Sequence, residues 1–94
     1  MPEKTFVWDE AKNAVLKRTR GVSFEDVIRA YAERGSLWIR DNPKPEKYPG
    51  QKLLAVLIDD YVYVAPYEET DEAVILKTIY PSRKATRECR DHEK

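Results

Sequence analysis

An almost uninterrupted apolar segment, residues 52–58, constrains the fold more than any other feature of the chain. Apolar side chains at successive strand positions point to both faces of a sheet, so this strand needs a central position that is buried on both faces. The segment is far shorter than the ~20 apolar residues that a membrane span requires. It therefore predicts a sheet built around it, and we expect no membrane partner.

The segments around it have the signals of an antiparallel meander. Asp59 and Asp60 predict a tight hairpin turn, because aspartate tolerates the positive φ that such turns use. Pro43, Pro45 and Pro49 predict a loop. The predicted elements are, in order, a strand at 36–40, a loop at 41–50, a strand at 52–58, a turn at 59–60, a strand at 61–66, an acidic turn at 67–72 and a strand at 73–80 that Pro81 ends.

In the first third of the chain, the apolar residues recur at helical spacing. Asp9 is a good N-cap and Gly21 a suitable stop, which predicts a first helix between them. Ser23 and Asp26 form a capping box that starts a second helix, and Gly35 ends it. Its apolar residues recur at helical spacing, at Phe24, Val27, Ile28, Tyr31 and Ala32.

A third helix and an edge strand complete the predicted fold. Ser82 caps a basic helix from residue 83 to about 91, and residues 5–8 form a short edge strand. A chain of 94 residues provides one domain, 1–94. The order is (β)ααββββα, an α+β fold in which two N-terminal helices and a C-terminal helix pack on one antiparallel sheet.

Composition excludes several functional classes. Cys89 is the single cysteine and His92 the single histidine, so we expect neither a metal cluster nor a Cys–His catalytic pair. The three glycines do not form a phosphate loop, and we expect no cofactor. A single cysteine cannot form a disulfide within the chain, and no secretory signal is found. Both features predict a cytoplasmic protein. Cys89 is expected to pack on its helix, and His92 to lie in a polar tail.

The charges cancel but are segregated along the chain. A balance of 17 basic and 17 acidic residues argues at first against a nucleic acid as partner. Residues 53–76, however, carry six acids and no base, whereas residues 77–87 carry four bases and no acid. We expect the acids in the two hairpin turns and the bases on a separate surface that attracts a polyanion. The alternative is a solvated basic face that complements the helix dipole.

The basic segment 77–87 contains groups that suit RNA cleavage without a metal, which requires a base, an acid and a cation at the phosphate. We predict Arg83 at the phosphate, Lys77 near the 2′-hydroxyl, and Tyr80 as proton donor or as a platform for a base. The alternative is that Tyr80 is a packed strand residue, which is the more common role of a strand tyrosine. Strand alternation places Tyr80 on the face of Leu76, opposite to Lys77.

Further residues are expected to bind RNA around these three, namely Lys47, Lys52, Lys84, Arg87 and Trp8. Trp8 and Trp38 each have two interpretations, a core residue or a platform on which a base stacks. Tyr48 either anchors the proline loop or lines an RNA groove.

Three motifs resemble those of the BrnT-type toxins. They are FVWDEAKN at 6–13, GVSFEDV at 21–27 and SRKATRE at 82–88. The functional residues of the family match this chain at Trp8, Asp9, Lys12, Arg83, Lys84 and Thr86. The chain departs from the family at Thr78, where a strand arginine is usual, and at Pro81, where serine is usual. It is therefore similar to a divergent branch, with Lys77 standing in for the arginine.

The resemblance implies the toxin of a type II toxin–antitoxin system, with a RelE-like fold and metal-independent endoribonuclease activity that inhibits growth. It also implies a cognate antitoxin with a DNA-binding domain of the ribbon–helix–helix type. The apolar edge at residues 6–8 is compatible with a homodimer or with a heterotetramer that includes the antitoxin. The alternative hypothesis is a non-catalytic module that binds RNA or the antitoxin.

Overall fold

The computed structural model describes residues 4–92, and the side chains of residues 4–90. Within this range the chain forms an α+β fold with three helices and a mixed sheet of six strands. The elements are β1 (Thr5–Val7), α1 (Glu10–Arg20), α2 (Phe24–Arg34), β2 (Trp38–Asp41), β3 (Lys52–Ile58), β4 (Tyr61–Glu69), β5 (Ala73–Leu76), β6 (Tyr80–Pro81) and α3 (Arg83–His92).

The predicted starts of α1 and α2 are confirmed. The Asp9 carboxylate accepts a hydrogen bond from the Ala11 N–H at 2.9 Å, and Ser23 forms the full capping box with Asp26. Asn13, buried on α1, ties the two helices together, because its side-chain oxygen accepts from the Phe24 N–H at 2.8 Å. The first two motifs of the resemblance thus contain the residues that cap and join these helices.

The sheet order is β1-β5-β4-β3-β2, with β6 also paired to β4. The prediction of a purely antiparallel sheet is wrong at one edge, where β1 lies parallel to β5 with Thr5 opposite Ala73. Alternation identifies a short edge strand but specifies neither its partner nor its direction. The tight turn between β3 and β4 is confirmed, and both aspartates have positive φ, 51° for Asp59 and 66° for Asp60.

The central strand β3 is buried on both faces, as predicted. Leu54 and Val56 face a core that α1 and α2 complete with Leu16 and Phe24. Ala55, one position out of phase, faces the opposite core. That second core contains Ala55, Val62, Val64 and, from α3, Ala85. Helices therefore cover the sheet on both sides, α1 and α2 on one and α3 on the other.

The predicted strand at 73–80 is broken in two, because Pro66 lies opposite its middle. The Pro66 carbonyl accepts from the Lys77 N–H at 2.9 Å, so the backbone edge of Pro66 that lacks an N–H faces this strand. The strand leaves the sheet at residues 77–79 and returns as β6. The prediction that alternation continues from Leu76 is therefore wrong, since Leu76 and Ile79 both enter the core under α1 and α2.

The acidic turn is also shorter than predicted. Residues 67–69 continue β4 instead, with Tyr67 opposite Leu76 and Glu69 opposite Val74. Tyr67 is almost fully buried in the core under α1 and α2. The prediction ends the strand at Pro66, but this proline lacks only an N–H, and its carbonyl still pairs with Lys77, so β4 continues through it.

The start of α3 replaces a strand along the edge of β4. Beyond β6, the Ser82 N–H donates to the Val62 carbonyl, and the Val62 N–H donates to the Thr86 hydroxyl at 2.9 Å. The Thr86 hydroxyl in turn donates to the Ser82 carbonyl at 2.7 Å. The predicted Ser82 cap is confirmed, because its hydroxyl accepts from the Ala85 N–H. None of the helices among residues 4–92 is long and apolar enough to cross a membrane.

Thr86→Val is expected to lower the free energy of unfolding by about 1–3 kcal/mol, because it leaves the buried Val62 N–H without an acceptor. Urea unfolding followed by far-UV circular dichroism measures the change. Thr19→Val, at an exposed position of α1, is the matched control and should change stability by less than about 0.5 kcal/mol. Equal effects of the two substitutions would contradict this role of Thr86.

Candidate functional site

The side of the sheet that α3 covers, here called the α3 face, holds the predicted catalytic segment. Two rows of cross-strand neighbours cross it. The aromatic row consists of Trp38, Ala55, Val64 and Tyr80. The charged row consists of Arg40, Leu53, Pro66 and Lys77, the last joined through its backbone N–H. Each row begins on β2. The aromatic row ends at Tyr80 and the charged row at Lys77, on either side of the break opposite Pro66.

Lys77 lies beside a carboxylate on this face. Glu68 follows Pro66 by two positions of β4 and therefore shares its face, and the Lys77 Nζ is 3.5 Å from a Glu68 carboxylate oxygen. Both side chains are about 40% exposed, so solvent and a ligand can reach them. The prediction that the acids lie apart from the basic surface is therefore wrong for Glu68. Glu69 forms a separate ion pair with Lys4, at 2.7 Å, outside that basic surface.

Tyr80 lies on the α3 face, half-buried opposite Val64. Burial raises the pKa of the Tyr80 phenol above its ordinary value of 10.0. The phenol therefore keeps its proton through the neutral range, which suits a hydrogen-bond or proton donor. Tyr80 and Lys77 lie on one face, rather than on opposite faces as strand alternation predicts, because the chain leaves the sheet between Leu76 and Tyr80.

Arginine side chains lie along α3, which runs toward the β3–β4 turn, where Arg90 lies near Leu57 and Asp60. Arg83, Arg87 and Arg90 are exposed and recur at i, i+4 and i+7, which places them on one side of the helix. Arg83 begins the helix three residues after Tyr80 and immediately after the Ser82 cap. Lys84 is exposed in the first turn of the same helix. The arginines thus supply positive charge along the border of the α3 face.

The remaining predicted RNA-binding residues lie elsewhere. Trp8 packs against Phe24 with ring centroids 5.9 Å apart, in the core on the opposite side of the sheet. Lys52 is exposed but alternates with Leu53, which directs it away from the α3 face. Lys47 lies in the proline loop, with its Nζ 5.5 Å from the ring centroid of Tyr48. The structure therefore does not bring these three residues to Lys77, Tyr80 and Arg83.

Two features of the face were missed in the sequence. The sequence prediction places Glu68 in a turn. Val62, Val64 and Pro66 nevertheless alternate up to Glu68, and this alternation indicates its face of the sheet once β4 extends to residue 69. Arg40 lies over the ring of Trp38, with 4.0 Å between its Cζ and the ring centroid. Their i, i+2 spacing on a strand is the signal for this contact.

Among residues 4–92 no group of three or more histidine, cysteine, aspartate or glutamate side chains is placed to hold a metal ion. Cys89 is half-buried against the core under α3, as expected. The side chain of His92 lies outside the described part of the chain. Searches of protein-family models, of curated proteins and of solved structures gave no match to this chain.

We expect the raised pKa of Tyr80 to appear as a loss of stability at alkaline pH. Above pH 10 the unfolded phenol loses its proton first, so the folded state binds more protons and stability falls as the pH rises. The stability that the protonated Tyr80 phenol contributes is fully present below pH 10 and is lost as the pH rises through its raised pKa. Urea unfolding between pH 8 and 11 should show a shallower alkaline decline for Tyr80→Phe than for the unsubstituted chain. Parallel declines would show that Tyr80 does not contribute.

Proposed function

We propose that this chain is a metal-independent endoribonuclease, the toxin of a type II toxin–antitoxin system with a RelE-like or BrnT-like topology. The observation that supports the proposal best is the ion pair of Lys77 and Glu68 on the α3 face, the face that also holds Tyr80. The motifs at 6–13, 21–27 and 82–88 support the choice of family.

The reaction requires the 2′-oxygen of a ribose to attack the adjacent phosphorus. In the proposed mechanism the Glu68 carboxylate accepts the 2′-hydroxyl proton while the bond from the 2′-oxygen to phosphorus forms. The Tyr80 phenol donates its proton to the 5′-oxygen as the bond from phosphorus to that oxygen breaks. The products are a 2′,3′-cyclic phosphate and a 5′-hydroxyl. Glu68 then holds the proton of the 2′-hydroxyl, and exchange with solvent returns a proton to Tyr80 before the next turnover.

Lys77 and Arg83 supply the positive charge that this step needs. Negative charge builds up on the non-bridging phosphate oxygens in the transition state, and cations placed beforehand stabilise it. The Lys77 ammonium is already held 3.5 Å from Glu68, so it can bind a phosphate next to the base. Arg83 presents a planar guanidinium that fits two phosphate oxygens at once. Glu68 thus takes the role of base, and Lys77 acts as the cation next to the 2′-hydroxyl.

The proposed partner is an antitoxin encoded beside the toxin, with a ribbon–helix–helix DNA-binding domain, and the proposed compartment is the cytoplasm. The arginine side of α3 offers a surface for an acidic segment of that antitoxin. Such a segment would cover Arg83 and so block the RNA site. A homodimer or a heterotetramer with the antitoxin would place several such sites in one assembly.

A specific observation favours a second candidate, a module that binds RNA or the antitoxin without cleavage. Lys77 and Glu68 form an ion pair with each other, which leaves their charges largely cancelled in the absence of a ligand. The exposed arginines of α3 would then supply the binding. Cleavage separates the two candidates directly.

We expect the purified protein to cleave RNA in the presence of EDTA and to leave 2′,3′-cyclic phosphate ends. Glu68→Gln should reduce the cleavage rate by about 10²- to 10⁴-fold, because it removes the general base but keeps the shape of the side chain. Lys77→Ala and Arg83→Ala should also reduce the rate. The same substitutions should relieve growth inhibition when the chain is expressed without an antitoxin.

Arg18→Ala is the matched control for charge, because Arg18 is exposed on α1, on the opposite side of the sheet. It should leave cleavage unchanged. RNA binding without cleavage would reject the enzyme and favour the binding module. Cleavage that Glu68→Gln does not reduce would reject the assigned base.

A further inference from the structure

We infer that Trp38 and Arg40 form a binding subsite for one unpaired base, which makes single-stranded RNA the substrate of the α3 face. The inference rests on the proposed function and names the substrate class of the same site. Three features of the face support it. They are the position of the Arg40 guanidinium over the Trp38 ring, the charge environment of Arg40, and the rows that join these residues to Lys77 and Tyr80.

The stacked pair has the form of a base platform. Trp38 is half-buried against the core under α3, which fixes its ring, and the Arg40 guanidinium lies 4.0 Å from the ring centroid. Arg40 itself is exposed, so its guanidinium remains accessible to a ligand. Bases stack on arginine guanidinium planes as well as on aromatic rings. A guanidinium centred 4.0 Å over an indole can therefore present its other side to a base.

The charge of Arg40 is available to a polyanion. Within residues 4–90 no carboxylate forms an ion pair with Arg40, whereas Lys77 and Lys4 each have one. Arg40 also lies on β2, whose outer edge pairs with no other strand among the described residues. A nucleic acid can thus reach the stack from the edge of the sheet.

The rows set the distance between this stack and the proposed catalytic groups. Trp38 and Tyr80 end the aromatic row, and Arg40 and Lys77 end the charged row. Each row crosses three strand separations, about 14 Å in total. The two ends are therefore separate subsites on one face. One can hold a flanking base while the other holds the phosphate that is cleaved.

This arrangement selects against duplex RNA. A base can lie flat on the Arg40–Trp38 stack only if it is unpaired and turned out of a helix. Leu53, the half-exposed residue between the two ends of the charged row, offers an apolar floor but no group that reads a base pair. The face therefore fits a single strand that enters at the β2 edge and passes Leu53 toward Lys77, beside the part that α3 covers.

The test uses a fluorescently labelled 2′-O-methyl oligonucleotide, which cannot be cleaved because it lacks a free 2′-hydroxyl. Binding is thus measured independently of the proposed catalysis. Arg40→Lys keeps the positive charge but removes the planar guanidinium, and we expect it to weaken binding of the oligonucleotide on the order of tenfold. Arg29→Ala, an exposed arginine on α2, is the control and should leave the affinity unchanged. Duplex RNA should bind much more weakly than the single strand.

Trp38 provides a second measurement. In a Trp8→Phe background, the emission of Trp38 should be quenched by the single strand, because the base stacks beside its ring. In the cleavage assay, Arg40→Lys should raise KM and leave kcat unchanged. Three results would each overturn the inference, namely no binding of the single strand, equal binding by Arg40→Lys, or equal binding of a duplex. Loss of cleavage with this binding intact would overturn only the proposed function.

Discussion

The missing N–H of Pro66 determines how the second half of this chain is arranged. An uninterrupted partner strand along that edge of β4 would need a donor at Pro66, and the proline has none. The chain therefore leaves the sheet after one shared hydrogen bond, from Lys77 to the Pro66 carbonyl. This short departure buries Ile79 under one pair of helices and turns Tyr80 to the other face. The candidate site lies where the ladder is interrupted.

The start of α3 compensates for the interruption further along the same edge. Ser82 and Thr86 take up the two backbone groups of Val62 that a longer strand would have paired. Because these bonds are buried or partly buried, they position the helix more firmly than its surface charges can. The half-exposed pair of Lys77 and Glu68 contributes little to stability, about 0–1 kcal/mol. Its value to the molecule is the placement of opposite charges on one face.

Much of the fold could be predicted because its signals are local. The caps at Asp9 and Ser23, the aspartate turn and the two-sided burial of β3 each follow from a few adjacent residues. The site was harder to predict, because it depends on which strands face each other. Glu68 meets Lys77 only through the register of β4 with β5, and alternation along one strand does not contain that register. The parallel direction of β1 could not be predicted for the same reason, because its sequence does not indicate which strand it pairs with.

The parallel edge formed by β1 also has a consequence for the order of assembly during synthesis. Its first residue pairs with the first residue of β5, and Lys4 contacts Glu69, which is 65 positions later. The ribosome makes the segment of β1 long before it makes that partner, so β1 cannot pair with β5 while α1 and α2 emerge. Contacts between such distant segments are slow to form because the intervening chain must first be ordered. The nascent chain therefore stays open along this edge until β5 has emerged, and α3, with its arginines, follows later still.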